Sequence, residues 1–192
     1  MNLRSYLFSI KQYLQNRSTC HQLKKFKNIH KGERCFIIGT GPSLTTEDLE
    51  LLKDEICFGS NRIFEIYPRT SWRPTYYMNQ DCVLINKFTD EINALDVKAI
   101  FMPMDIREKF QGNPLAHFFV LRHKEFYPGD AEFSENLHHY MGQGFTVTYG
   151  AIQMARYMGF SEVYLLGIDH NYSISLNEKG IPVMNEGTQD YF

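Results

Sequence analysis

No stretch of this chain approaches the roughly 18 uninterrupted apolar residues that a membrane-crossing helix requires. The N-terminus also lacks the apolar core and small-residue cleavage site of a secretory signal. Cysteine is scarce: Cys20, Cys35, Cys57 and Cys82 show no paired spacing, which argues against a disulfide framework. Such cysteines fit buried thiols in a reducing compartment, so the expected location is cytoplasmic. There is no Asp-x-Asp triad, and no carboxylate/His pattern marks a divalent-ion site, so the residues themselves suggest no metal. A P-loop is excluded because Pro42-Ser43-Leu44 stands where Gly-Lys-Ser/Thr would be needed. Finally, residues 1–32 contain neither Asp nor Glu.

What is present suffices for one α/β domain. The 192 residues are 43 % hydrophobic, with 15 Phe and 12 Tyr, ample for a core and unlike a disordered chain. The most telling segment is Cys35-Phe36-Ile37-Ile38-Gly39-Thr40-Gly41-Pro42-Ser43-Leu44. Its apolar run reads as a buried parallel strand. Gly39 and Gly41 leave the strand's carboxyl end bare, so a ligand can approach the backbone. Thr45 or Thr46, followed by Glu47 and Asp48, reads as a capped helix start. Strand, bare turn and helix N-terminus together suit a phosphate, and hence a nucleotide or nucleotide-linked group. A dinucleotide fingerprint would need a third glycine near Leu44 and Thr45, which is missing. A tight strand-helix turn without a ligand is the competing reading.

The net charge of −2 conceals an asymmetry. Residues 1–32 carry Arg4, Lys11, Arg17, Lys24, Lys25, Lys27 and Lys31, while all 22 acidic residues lie beyond them. Leu3, Tyr6, Leu7, Ile10, Tyr13 and Leu14 recur at helical spacing, which predicts a basic amphipathic helix. Such a helix suits the inner face of an anionic membrane, or packs on its own domain or a partner subunit, as in a homo-oligomer. Nucleic acid is not an expected partner.

Further strands are predicted at 55–59, 75–78, 98–102, 117–121 and 162–166, with helices at 83–95 and 146–158. This alternation predicts an α/β fold, a Rossmann-like doubly wound and mainly parallel sheet spanning 33–172. Residues 122–144, polar and aromatic, form a candidate lid-like insertion, in which His138 and His139 are expected to face solvent or stack on Tyr140. Phe118, Phe119, Phe126, Tyr127 and Phe133 are read as core and lid packing. Residues 173–192 show no clear element and end without a closing helix; such a tail is expected to be functional, disordered or a truncated end. Four polar clusters fall at strand ends or a helix start: Gly39 to Ser43, Ser60-Asn61, Asn79-Gln80-Asp81 and Gly167 to Tyr172. Ligands of such sheets bind outside the carboxyl ends of the strands, so the clusters define one site.

With these clusters and the block Thr146 to Asp169, the chain resembles two related groups. One is the bacterial CMP-sialic-acid-dependent sialyltransferases of lipooligosaccharide synthesis. The other is the set of surface-polysaccharide proteins with a domain like 6-hydroxymethylpterin diphosphokinase. The resemblance spans about residues 33–80 and 144–172. It implies a metal-independent, inverting glycosyltransferase of lipopolysaccharide or other cell-surface polysaccharide assembly, with a nucleotide sugar as donor, CMP-linked, no cofactor, and a glycan or lipid-linked acceptor. Gly39, Thr40 and Gly41, with Pro42 and Ser43 completing the turn, would approach the nucleotide phosphate. Asn61, Asn79 and Gln80 would bond the nucleotide or sugar, and Thr146 and Thr148 an anion such as the donor carboxylate. Tyr172 would donate its phenol to the departing phosphate. Gly167 is a further candidate binding residue, and Asp169 could bind a ribose or sugar hydroxyl or simply cap the following loop.

Two departures stand out. Thr40 replaces the family's usual Asn, and no His follows His170, where the family's general base would come. His170 titrates near neutrality and could serve instead, or it could simply bond its loop. Asn61 and Asn79 could equally cap turns, as Asn often does. Two rival functions remain: a Mg²⁺-dependent hydroxymethylpterin diphosphokinase, and a non-catalytic nucleotide-binding protein.

Overall fold

In the computed structural model the described residues are 3–122 and 131–169, with the backbone of two short strands beyond. Within helix α1 (Leu3–Gln15) the side chains of residues 3–6 and 9 are not described. Helix α2 (Arg17–His21) follows at once and runs into a 3₁₀ turn, Gln22–Phe26, whose Leu23 and Phe26 are buried.

Six parallel strands form the centre: β1 (Arg34–Ile38), β2 (Cys57–Ser60), β3 (Tyr76–Met78), β4 (Ala99–Pro103), β5 (Ala116–Phe119) and, later in the chain, β8 (Glu162–Leu166). Their order is β5-β4-β3-β2-β1-β8. The chain therefore moves outward from β1 to β5 and then returns to the other side of β1. That reversal makes the β1–β8 boundary the topological switch point, beside which doubly wound sheets leave a crevice.

Alternating side chains feed two cores. Ile38, Cys57, Tyr77, Ile100 and Met102 pack on one face with α3 (Thr46–Glu50), α4 (Cys82–Lys87) and α5 (Thr89–Asn93). Ile37, Phe58, Met78, Phe101 and Phe119 face Leu23, Phe26 and helix α6 (Val147–Met158). Strands β1 to β5 are thus sandwiched, as alternating β and α elements require, while the edge strand β8 is exposed at Val163, Tyr164 and Leu165. Burial pushes the Cys35 and Cys57 thiols up to about 12, as expected of structural thiols.

The expected helix at 83–95 is two helices. The chain breaks at Phe88, which leaves the helical region (φ −118°, ψ 35°), and Thr89 Oγ1 bonds the Ile85 carbonyl at 2.9 Å. The strand expected at 117–121 stops at Phe119, and β6 (Leu121–Arg122) instead pairs in parallel with β7 (Met141–Gly142). The insertion is accordingly anchored over 131–144: Leu137 and Met141 are fully buried. The tail expected to lack regular structure contains an antiparallel pair, β9 (Ile174–Leu176) with β10 (Pro182–Met184). Among the described residues no helix is long and apolar enough to cross a membrane.

The N-terminal segment belongs to the domain. Asn28, His30 and Gly32 donate backbone bonds to Tyr157, Met158 and Gly159, closing it against the end of α6. His30 bridges Glu33 and the Tyr76 hydroxyl, the latter at 2.7 Å.

Candidate functional site

The four polar clusters, so far as they are described, do converge on the carboxyl edge of the sheet. At the switch point the β1 turn and the β8 turn are in direct contact. Gly39 N–H donates to Leu166 O and Gly41 N–H to Gly167 O, each at 2.8 Å. A Cβ on Gly39 would stand 2.2 Å from the Gly167 carbonyl oxygen; one on Gly41 would stand 2.5 Å from Asp169 Oδ2. Here the absent side chains admit the neighbouring turn of the same protein, so the bareness read from the sequence is filled by the β8 turn. Gly167 itself adopts φ +63°, the left-handed region that glycine enters freely.

Asp169 completes the contact. Its carboxylate accepts the Ser43 N–H at 2.9 Å and the Ser43 hydroxyl. These bonds to Ser43 hold its carboxyl below the usual carboxylate range, so it is ionised at neutral pH and a poor proton acceptor. The helix start is also satisfied internally: Thr45 and Asp48 form a reciprocal capping box at the five-residue α3. Three backbone donors of the turn, on Gly39, Gly41 and Ser43, are thus engaged within the protein. Thr40 is buried, while Pro42 and Ser43 are exposed.

The β2 and β3 ends are tied by a second network. Ser60 Oγ donates to Ile38 O at 3.3 Å, and the Tyr77 hydroxyl to Asn61 O at 2.7 Å. Asn79 Nδ2 donates to the Tyr77 hydroxyl at 3.0 Å, and Asn79 Oδ1 accepts from Asp81 N–H at 2.9 Å. Asn79 is fully buried, so its turn-capping reading describes its geometry. Asn61 occupies the left-handed region at φ +50°, which Asn tolerates better than most residues. Asp81 caps α4 through Val83 and Leu84.

The N-terminus of α6 opens onto the same edge. Gly150, in its first turn, approaches β3 so closely that a Cβ would meet Gln80 Nε2 at 2.0 Å and Met78 Cε at 2.6 Å. Gln80, half-buried, also reaches Met141 Sδ at 3.2 Å. Thr146 is the cap, accepting from Thr148 N–H at 3.3 Å. Thr146 is exposed and Thr148 half-buried, and Phe145 before them stands in the left-handed region at φ +59°. An exposed helix start of 12 residues, flanked by hydroxyls, is physically suited to an anion.

Gln153, absent from the residues picked out in the sequence, holds the wall beside that helix. Its Oε1 accepts from Ser134 N–H at 2.9 Å and Gly142 N–H at 3.0 Å, and Nε2 donates to Gly142 O at 2.8 Å. It is fully buried in mid-helix, where nothing in its spacing distinguishes it from a surface glutamine. Glu132 accepts from Arg122 at 2.7 Å and from the Tyr140 hydroxyl at 2.6 Å in the same wall.

The histidine expectation holds for His139, which is exposed, and fails for His138. His138 is buried rather than solvent-facing: it bonds the Tyr157 hydroxyl at 3.1 Å and packs on His139, not Tyr140. Burial and the neighbouring cations push it down to about 4, so it is neutral at physiological pH. Tyr140 is covered by the Arg122 guanidinium instead. Phe118 and Phe119 are core, as expected, but Phe133 is exposed and meets Tyr149 edge-on. His170, Tyr172, Phe126 and Tyr127 lie outside the described residues. Among the described residues no three His, Cys, Asp or Glu side chains group as metal ligands would.

Comparison with known proteins accords with this architecture. A family model described as 6-hydroxymethylpterin diphosphokinase MptE-like matches residues 6–175. That match spans most of the chain, which therefore belongs to the MptE-like family. A solved structure described as the MAf glycosyltransferase from Magnetospirillum magneticum AMB-1 superimposes with TM-score 0.52 at 17 % identity. The alignment covers 85 % of this chain and 28 % of that one, so the chain spans well under a third of its structural neighbour. At that identity the likeness establishes a shared fold. No curated protein matches the chain significantly.

Proposed function

We propose that this MptE-like domain is an inverting, nucleotide-sugar-dependent glycosyltransferase of cell-surface polysaccharide assembly, related in design to the sialyltransferases and using a CMP-linked donor. The observation that carries the reading is the carboxyl edge: the switch-point junction, the β2 and β3 ends and the start of α6 come together there. The glycosyltransferase fold of the structural neighbour supports it.

In this reading the acceptor hydroxyl attacks the anomeric carbon opposite the nucleotide phosphate. The new carbon–oxygen bond forms as the bond to phosphate oxygen breaks. Charge grows on the departing phosphate, and neutral donors fixed in advance stabilise it without reorganisation. The start of α6, with Thr146 and Thr148, takes the anionic group of the donor, because the β1 turn has committed three of its N–H donors internally. Asn61 and Gln80 border the nucleotide; Gly39, Thr40, Gly41, Asn79, Gly167 and Asp169 hold the floor in shape. His170 and Tyr172, which follow Asp169 in the chain, take the acceptor proton and donate to the leaving phosphate.

The family description favours a second reading, a diphosphokinase that moves pyrophosphate from ATP with Mg²⁺. A thermal-shift screen separates the two. A ligand at a hundredfold its Kd stabilises by about 2.7 kcal/mol, or roughly 5–11 °C for a chain of this size. The proposal expects such a rise with CMP or a CMP-linked sugar in EDTA. A rise with ATP only when Mg²⁺ is present would establish the kinase reading instead. Silence from every nucleotide would overturn both readings, and the non-catalytic nucleotide-binding one with them.

A further inference from the structure

We propose that α1 is a docking face for an anionic lipid surface. One side of this helix is committed to the domain. Gln12 Nε2 donates to Asp105 Oδ1 at 3.1 Å, the Tyr13 hydroxyl bonds His21 Nε2 at 3.0 Å, and the Tyr13 ring meets His139 edge-on at 4.9 Å. The other side is apolar and uncovered: Leu7 and Phe8 are each 54 % exposed and Leu14 is 63 % exposed. Leu7, Lys11 and Leu14 follow one another at four and three residues, so they share a helix side.

Charge selects the occupant. Residues 1–32 hold seven basic side chains and no acidic one. A second copy docking through the same face would bring two cationic segments together. Nucleic acid would meet the charges but leave Leu7, Phe8 and Leu14 in water. An anionic lipid surface satisfies both features: apolar side chains enter the headgroup boundary while Lys and Arg meet lipid phosphate.

The placement has a consequence. α1 packs beside β6, and Gln12 on its committed side reaches Asp105, two residues past β4, so the helix itself sits at the carboxyl end of the sheet. Resting on the glycosyltransferase reading, docking through a helix at the same end of the sheet as the candidate site would bring that site near a lipid-linked acceptor; the docking itself does not depend on that reading.

The test is co-sedimentation of the full chain with phosphatidylcholine vesicles, with and without phosphatidylglycerol. The expected result is partitioning at least about tenfold stronger onto the phosphatidylglycerol vesicles, weakening as salt is raised. Lys11→Glu with Arg17→Glu, both exposed, is expected to remove at least about tenfold of that binding. Leu7→Ser with Leu14→Ser is expected to do the same at unchanged net charge. Equal partitioning onto both vesicles, or either double variant binding like the parent, overturns the proposal. So does a concentration-dependent dimer that Leu7→Ser abolishes, or duplex DNA that competes fully with vesicles. All variants should keep the parent's melting temperature and its response to nucleotide ligands, so loss of docking is distinguishable from failure of the catalytic reading.

Discussion

Two closures flank the candidate site, and they are built on opposite principles. The β1–β8 junction is closed by backbone against backbone, with Gly39 on Leu166, Gly41 on Gly167, and Asp169 finishing the seam at Ser43. The wall beside α6 is closed by one side chain, Gln153, which satisfies Ser134 and both backbone groups of Gly142. The first closure depends on atoms that are missing, the second on an amide that is present. The glycine seam therefore fails when an atom is added, and the glutamine clasp fails when its amide is removed. Only the first leaves a pattern that can be read in the sequence.

Gln153→Leu should have the largest effect. It leaves three buried backbone groups unpartnered, each costing about 1–3 kcal/mol. A fall in Tm of roughly 10 °C or more by calorimetry is expected. A loss below a few degrees would mean that water or a shifted strand replaces the amide. Gly39→Ala comes next. Its Cβ would collide with the Gly167 carbonyl, a backbone atom that cannot rotate away. Overpacking of this kind costs about 1–3 kcal/mol, a Tm drop of roughly 3–10 °C. A neutral outcome would show that the seam opens easily, and would return the bare turn to service as a ligand cradle. Thr146→Ala removes only a cap, worth about 1 kcal/mol or 2–4 °C. Its sharper readout is the nucleotide-induced Tm shift, which should shrink if α6 holds the donor's anion.

The unequal legibility of the two closures extends to the whole chain. The six parallel strands could be read because short apolar runs bounded by turn residues mark strands, although the edge strand β8 is exposed at Val163, Tyr164 and Leu165. The carboxyl ends of β1, β2, β3 and β8 could be paired with polar clusters because topology sends parallel strands to one edge. The break at Phe88 could not, since a threonine back-bonded to Ile85 carries no distinctive spacing. Burial of His138 depends on Tyr157 and on the N-terminal helices, which are distant in sequence. The glycines suggest close approach by a ligand, but what approaches Gly39 and Gly41 is the β8 turn, a tertiary fact. Gln153 was invisible because a helix interior accepts glutamine on any face. Of the two candidate anion sites, the turn has committed donors to its own fold, and the start of α6 has an exposed threonine cap.

The smallest effect tests whether the seam is electrostatic. Asp169 accepts two bonds from Ser43, and these hold its carboxyl below the ordinary value of about 3.9. A group depressed on folding contributes stability that is complete above the unfolded value and is lost as pH falls through the folded one. Asp169→Asn keeps an oxygen acceptor but removes the charge. Because the carboxylate is partly exposed, screening limits the expected Tm difference from the parent to roughly 1–3 °C at pH 7. That difference should hold down to about pH 4, shrink as the carboxylate protonates, and vanish in stronger acid. A difference that persists unchanged into strong acid would mean that shape alone binds Ser43 to the β8 turn. The glycine seam would then be held by packing, with the charge serving no part of the closure.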